Sequence, residues 1–70
     1  MRDTLAKGDK AAMACYGINV EDRYYDTRNG KMYVVRNVNG NIILESSGPI
    51  IQRLALTNFL KDIKNFRKVG

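Results

Sequence analysis

Few residues in this chain of 70 could do acid–base or covalent chemistry. It has no histidine, which removes the commonest general base and metal ligand, and its single cysteine, Cys15, cannot build a zinc site or an intramolecular disulfide alone. Among the seven acidic residues, Glu21 with Asp22, or Asp22 with Asp26, could be imagined as a metal-binding or acid/base pair. Near turns and strand ends, however, carboxylates ordinarily cap the chain or solvate it. The glycine-containing turns lack the Gly-x-Gly-x-x-Gly and phosphate-loop lysine spacings that cradle nucleotides. The expectation is a non-catalytic protein with no metal, no cofactor and no small-molecule substrate. Cys15 lies in an Ala/Met run with nothing basic close by to lower its pKa, which predicts a small buried thiol in a reducing compartment.

The basic residues are the better chemical clue. Twelve Lys and Arg against seven Asp and Glu leave a net charge of +5, and the excess is concentrated in residues 53–70, where Arg53, Lys61, Lys64, Arg67 and Lys68 face only Asp62. With Arg36 from the middle of the chain, these are the candidate contacts to phosphates or to an acidic partner, and Arg28 and Lys31 stand on the adjoining hairpin. The competing reading is ordinary surface solvation, helped by the preference for cations near a helix C-terminus. An exposed tyrosine among Tyr16, Tyr24, Tyr25 and Tyr33 could stack on a base; equally, these rings could fill a core or line a sheet.

The elements that must position these groups are legible from hydrophobic period and turn chemistry. Residues 23–46 carry two Asn-Gly steps between three β-branched and aromatic runs, which predicts a three-stranded meander of strands 23–27, 31–38 and 41–46. With Asn39 and Gly40 at the centre of a two-residue turn, Val38 pairs with Asn41, Val35 with Leu44 and Tyr33 with Ser46. One face then collects Tyr33, Val35, Ile42 and Leu44, and the other collects Met32, Val34, Val38 and Ile43 together with Arg36 and Glu45. The first turn stays open: Asn29-Gly30 as a two-residue turn, or residues 28–30 as a three-residue loop. The choice decides whether Tyr24 or Tyr25 joins the first face.

After the loop 46–49, residues 50–54 read as a fourth strand. Leu56, Phe59, Leu60 and Ile63 then fall at i, i+3, i+4 and i+7, the pattern of an amphipathic helix over 56–66 with Thr57 as its natural cap and Leu54 or Ala55 as alternative starts. Phe66 and Val69 either extend that helix or form a last short strand. Near the beginning, residues 9–16 predict a short helix ended by Gly17, with Thr4 or Asp9 as cap and the first eight residues free to fray. Ile18 and Val20 alternate with polar residues, as a linker or an early strand would.

The order Tyr25-Asp26, Asn29-Gly30-Lys31, Tyr33-x-Val35, Val38, Ile42-x-Leu44 and a closing Phe/Leu helix, over residues 23–69, resembles short phage and prophage proteins with small Src-homology-3-like barrels or sheet-plus-helix folds. The resemblance implies a phage or mobile-element origin and a role in modulating host machinery; it carries over no functional residues. The fold expected is one small α+β domain, 1–70: an antiparallel meander of three or four strands, curled and barrel-like or open, packed on a C-terminal amphipathic helix and preceded by a short N-terminal helix.

No apolar run is long enough to cross a membrane and no charged-then-apolar leader opens the chain, so a cytoplasmic location is expected. Two functions from different classes follow. One is a protein-interaction module, a regulator or inhibitor that binds a host protein or itself as a homodimer through Met32, Val34, Val38 and Ile43. The other is a basic nucleic-acid-binding domain that uses the C-terminal helix.

Overall fold

A computed structural model describes residues 7–69. In chain order the elements are α1 (Lys7–Tyr16), β1 (Arg23–Asp26), β2 (Lys31–Val38), β3 (Asn41–Ser46), β4 (Arg53–Ala55), α2 (Leu56–Lys61), a 3-10 turn (Ile63–Asn65) and β5 (Phe66–Val69). The five strands form one antiparallel sheet in the order β4-β3-β2-β1-β5, so the chain is a small α+β domain. The sheet does not close: β4 and β5 stand at opposite edges, and no barrel forms. Thr4 and the other residues before Lys7 lie outside the described residues, as does Gly70.

The central hairpin follows the expected register, with Val38 opposite Asn41, Val35 opposite Leu44 and Tyr33 opposite Ser46. Asn39 and Gly40 both adopt positive φ, 55° and 86°, the type I′ geometry that matches the twist of the flanking strands. The Asn37 side chain adds a local brace by accepting the Gly40 N–H at 2.8 Å. The first turn is neither of the two expected. Asp26 pairs with Lys31, so residues 27–30 form a four-residue loop in which the Gly30 N–H reaches back to the Asp26 carbonyl at 2.8 Å. A four-residue loop has the same parity as a two-residue turn, which puts Tyr24 opposite Tyr33 on the inner face and turns Tyr25 outward.

The helix expected over 56–66 stops at Lys61. Beyond the 3-10 turn, Phe66–Val69 pairs along β1, from Asp26 opposite Phe66 to Arg23 opposite Val69. Continuing the helix would have left the edge hydrogen bonds of β1 to water; the strand satisfies them and swings Phe66 onto the inner face. There Phe66 meets Phe59 edge-on at 4.8 Å and Tyr33 at 5.8 Å, and Phe59 meets Tyr24 at 5.0 Å. Six residues are too few to hold a helix by propensity, so α2 exists because Leu56 and Phe59 are buried under the sheet. Its N-cap is Ala55, the last residue of β4, with no side-chain cap; Thr57 lies inside the first turn. The fourth strand is likewise shorter and later than residues 50–54, because the 46–52 loop is closed by a reciprocal pair: the Ser46 N–H donates to the Gln52 carbonyl and the Gln52 N–H to Ser46 Oγ, both at 2.8 Å. Ile50 and Ile51 are left exposed on that loop.

At the other end of the chain, Gly17 at φ 68° ends α1 as expected. The Ile18 N–H returns to the Met13 carbonyl at 2.9 Å, and both side chains enter the core, the apolar contact that accompanies such a cap. Cys15 is exposed, not buried. With Met13 turned inward, a residue two positions on points to the opposite side of a helix that advances about 100° per residue. The segment 18–22 is a turn rather than a strand, with Ile18 buried and Val20 exposed.

Among the described residues the buried hydrophobic core lies on one side of the sheet. Val35, Leu44 and Phe59 are fully buried, surrounded by Tyr24, Tyr33, Ile42 and Leu56, with Leu60 and Ile63 packed against them. Met13 and Ile18 join this same core, so the described part of the N-terminal segment packs on the inner face.

Candidate functional site

Because side chains alternate across each strand, the residues between the core positions all project from the outer face of the sheet. The pairings arrange them in rows. Arg67, Tyr25 and Met32 form one row, and Val69, Arg23, Val34, Glu45 and Arg53 the next; Arg36, Ile43 and Ala55 follow, with Val38 at the hairpin end. Met13 of α1 and Leu56 and Phe59 of α2 are buried on the opposite side. Met32, Val34, Ile43 and Val69 are half-buried by their neighbours, while Val38 and Tyr25 are exposed.

The four residues expected on an apolar face, Met32, Val34, Val38 and Ile43, are therefore on one surface, interleaved with arginine. Of the six basic candidates, only Arg36, Arg53 and Arg67 share it. Lys61 on α2 and Lys64 in the 3-10 turn are exposed on the helical layer on the far side of the molecule. Lys68 falls on the inner parity of β5, where its ammonium sits 3.2 Å from Asp22 Oδ2 and donates to the Gly17 carbonyl at 3.3 Å, tying the end of the chain to the turn after α1. The expected basic helix face is thus divided, because the strand in place of the last helical turns sends Arg67 and Lys68 to opposite sides of the sheet.

Sequence reasoning missed Arg23. Its position one residue before Tyr24 was the available signal, but the parity of the first turn had to be known before β1 could be assigned a face. Tyr25 was left undecided for the same reason.

The charges on this face fall into two halves. Toward β3 and β4, Glu45 holds Arg53 at 3.1 Å and Arg36 at 3.5 Å, and Glu21 lies 4.0 Å from Arg36. Toward β1 and β5, Arg23 and Arg67 are exposed and make no ion pair among the described residues. Such exposed pairs are worth at most about 1 kcal/mol each, so their importance is in the sign of the surface rather than in stability.

The acidic residues weighed for catalysis have other employment. Asp26 is 2% exposed, and its Oδ1 accepts the Arg28 N–H at 2.9 Å and Arg28 Nε at 3.1 Å, while Oδ2 accepts Arg28 Nη2 at 3.2 Å. These hydrogen bonds from Arg28 hold the Asp26 carboxyl below its ordinary pKa. Arg28 also reaches Asp62 at 3.5 Å and lies over the Phe66 ring, so the first hairpin is clamped to the segment that follows α2. Asp22 accepts the Asn19 N–H at 2.9 Å, closing the turn that leads into β1. Among the described residues no cluster of three acidic or cysteine side chains could hold a metal.

Compared with known protein families, with characterised proteins and with solved structures, the chain finds no match. Among the described residues no helix is long and apolar enough to cross a membrane.

Proposed function

We propose that this chain is a non-catalytic protein-interaction module that docks onto another protein through the outer face of its sheet. In keeping with the resemblance to small phage proteins, the partner would be a host protein in the cytoplasm that the module regulates or inhibits. One observation carries the reading: a continuous surface of half-buried aliphatics, arginine and tyrosine on a sheet whose other face already holds the whole core. Arg, Met and Tyr are enriched in protein interfaces whereas Lys is depleted, and here Arg23, Arg36, Arg53 and Arg67 lie on the outer face while Lys61 and Lys64 lie on the helical layer.

Nucleic-acid binding through the C-terminal helix is the reading it competes with. That reading is weakened by the shortness of α2, which brings only Lys61 of the five C-terminal cations, and by the division of the others between three surfaces.

The test is site-specific photo-cross-linking with a photoreactive amino acid at Val34 on the outer face or at Asn58 on the exposed side of α2, in extract of the native cell with and without nuclease treatment. A discrete protein adduct from position 34 and none from position 58 is expected. Adducts from both positions alike, or a position-34 adduct that nuclease abolishes, would overturn the proposal.

A further inference from the structure

We infer that the β1/β5 half of the outer face recognises an acidic, partly apolar segment of the partner protein, its carboxylates meeting Arg23 and Arg67 on either side of Tyr25. The inference rests on the outer face being the docking surface and deepens that reading by naming the chemistry of the partner. The chain supplies a carboxylate for Arg28, Arg36, Arg53 and Lys68, at distances from 3.1 to 4.0 Å, but among the described residues it supplies none for Arg23 or Arg67. Arg67 is opposite Tyr25, and Arg23 lies two residues before it on the same face, so their Cα atoms stand on a diagonal of about 8 Å. Two acidic residues at alternate positions of an extended segment are about 7 Å apart and project from the same side, within reach of both guanidinium groups. Tyr25 lies beside Arg67 and Val34 beside Arg23, so apolar side chains flanking those carboxylates would meet Tyr25 and Val34.

Two other occupants fit less well. Single-stranded nucleic acid binds to sheets that present several rings, whereas this face has Tyr25 as its one aromatic residue and aliphatics elsewhere. A second copy would have to meet the same patch under two-fold symmetry, bringing arginines toward arginines while Glu45 and Glu21 are already engaged.

The experiment uses a short fluorescent peptide with Glu at two alternate positions flanked by Leu and Val, its counterpart with Lys for Glu, and a mixed-sequence single-stranded DNA, read by anisotropy at two salt concentrations. The acidic peptide should bind the wild-type chain and the Lys peptide should not. Arg23→Glu with Arg67→Glu should weaken acidic-peptide binding about tenfold or more, because the steering charge is reversed. Arg23→Gln with Arg67→Gln guards against a folding defect and should weaken it in the same direction, whereas Lys61→Glu with Lys64→Glu, which changes the net charge as much as the double Arg→Glu variant, should leave it within about twofold. Absence of acidic-peptide binding, equal loss in the Lys61/Lys64 variant, or tighter Arg23- and Arg67-dependent binding of the DNA would each overturn the inference. So would self-association that the peptide competes away. If the position-34 cross-link survives while the peptide fails, the docking face stands and only its acidic chemistry falls; if both fail, the face is not a protein interface.

Discussion

On the inner face of the sheet, Tyr24, Tyr33, Val35, Ile42 and Leu44 are buried under Leu56, Phe59, Met13 and Ile18; one residue along the same strands, Tyr25, Met32, Val34, Arg36 and Ile43 look outward. The outer residues include many apolar ones, but an arginine or a glutamate interrupts them in every strand: Arg23, Arg36, Glu45, Arg53 and Arg67. The difference teaches that hydrophobic content does not decide which face becomes core. The inner face is the one to which Leu56 and Phe59 can return after β4, and an arginine there would have to give up its hydration. The outer face tolerates arginine because exposed guanidinium groups stay in water; Arg23 stands across from Val34 and Arg36 across from Ile43.

The contrast should be sharpest at Phe59. Phe59→Ala should cost about 3 to 5 kcal/mol, comparable with the whole net stability of so small a domain, and should abolish the cooperative thermal transition. A retained transition near the wild-type midpoint would show that the inner face is not the core. Gly40→Val should come next: at φ 86° a side chain costs about 1 to 2 kcal/mol before β-branching is counted, and circular dichroism in a urea titration should show the loss. A silent Gly40→Val would place the turn elsewhere and reassign both faces at once.

Asp26→Asn should lower neutral-pH stability by about 1 to 2 kcal/mol through lost charge-assisted hydrogen bonds to Arg28. It also changes the pH profile. A carboxyl whose folded-state pKa is depressed contributes stability above its ordinary value of 3.8 and loses it as the pH falls from there toward the folded value. The variant should therefore show a flatter stability curve than wild type below about pH 4, measured by melts across an acid series. Equal slopes would mean that Asp26 does not clamp the hairpin.

On the outer face, Val34→Lys should cost about 1 kcal/mol or less, with secondary structure retained, because the new ammonium stays solvated. A large loss there would erase the distinction between the faces. The smallest effect belongs to Glu21, which holds φ 78° without being glycine. Glu21→Gly should leave stability unchanged or raise it by up to about 1 kcal/mol, relief of backbone strain being partly offset by glycine's greater chain entropy.

Much of the sheet was legible beforehand because its information is local. Asn39-Gly40 determines positive φ at two successive residues, the alternation around it determines which side chains share a face, and together they gave the register of β2 with β3 before any tertiary contact was known. The end of α1 at Gly17 is local in the same sense, as is the apolar set Leu56, Phe59, Leu60 and Ile63. The candidate surface was half legible: Met32, Val34, Val38, Ile43 and Arg36 follow from that one hairpin, whereas Arg53 and Arg67 need the pairing of β4 and β5, and Arg23 and Tyr25 depend on a loop whose length no dipeptide specifies.

What only tertiary structure decided concerns residues whose best local conformation was not their final one. Residues 62–66 continue a helical period, yet they leave it because β1 offers unpaired backbone groups and the Tyr24, Phe59 and Tyr33 cluster offers a place for Phe66, gains that exist only once distant strands are assembled. Cys15 is exposed because Met13, not its own neighbourhood, determines how α1 turns toward the core. The division of the C-terminal cations among three surfaces has the same origin: period and charge are properties of the sequence, but the side of the molecule on which a charge emerges is determined by long-range pairing.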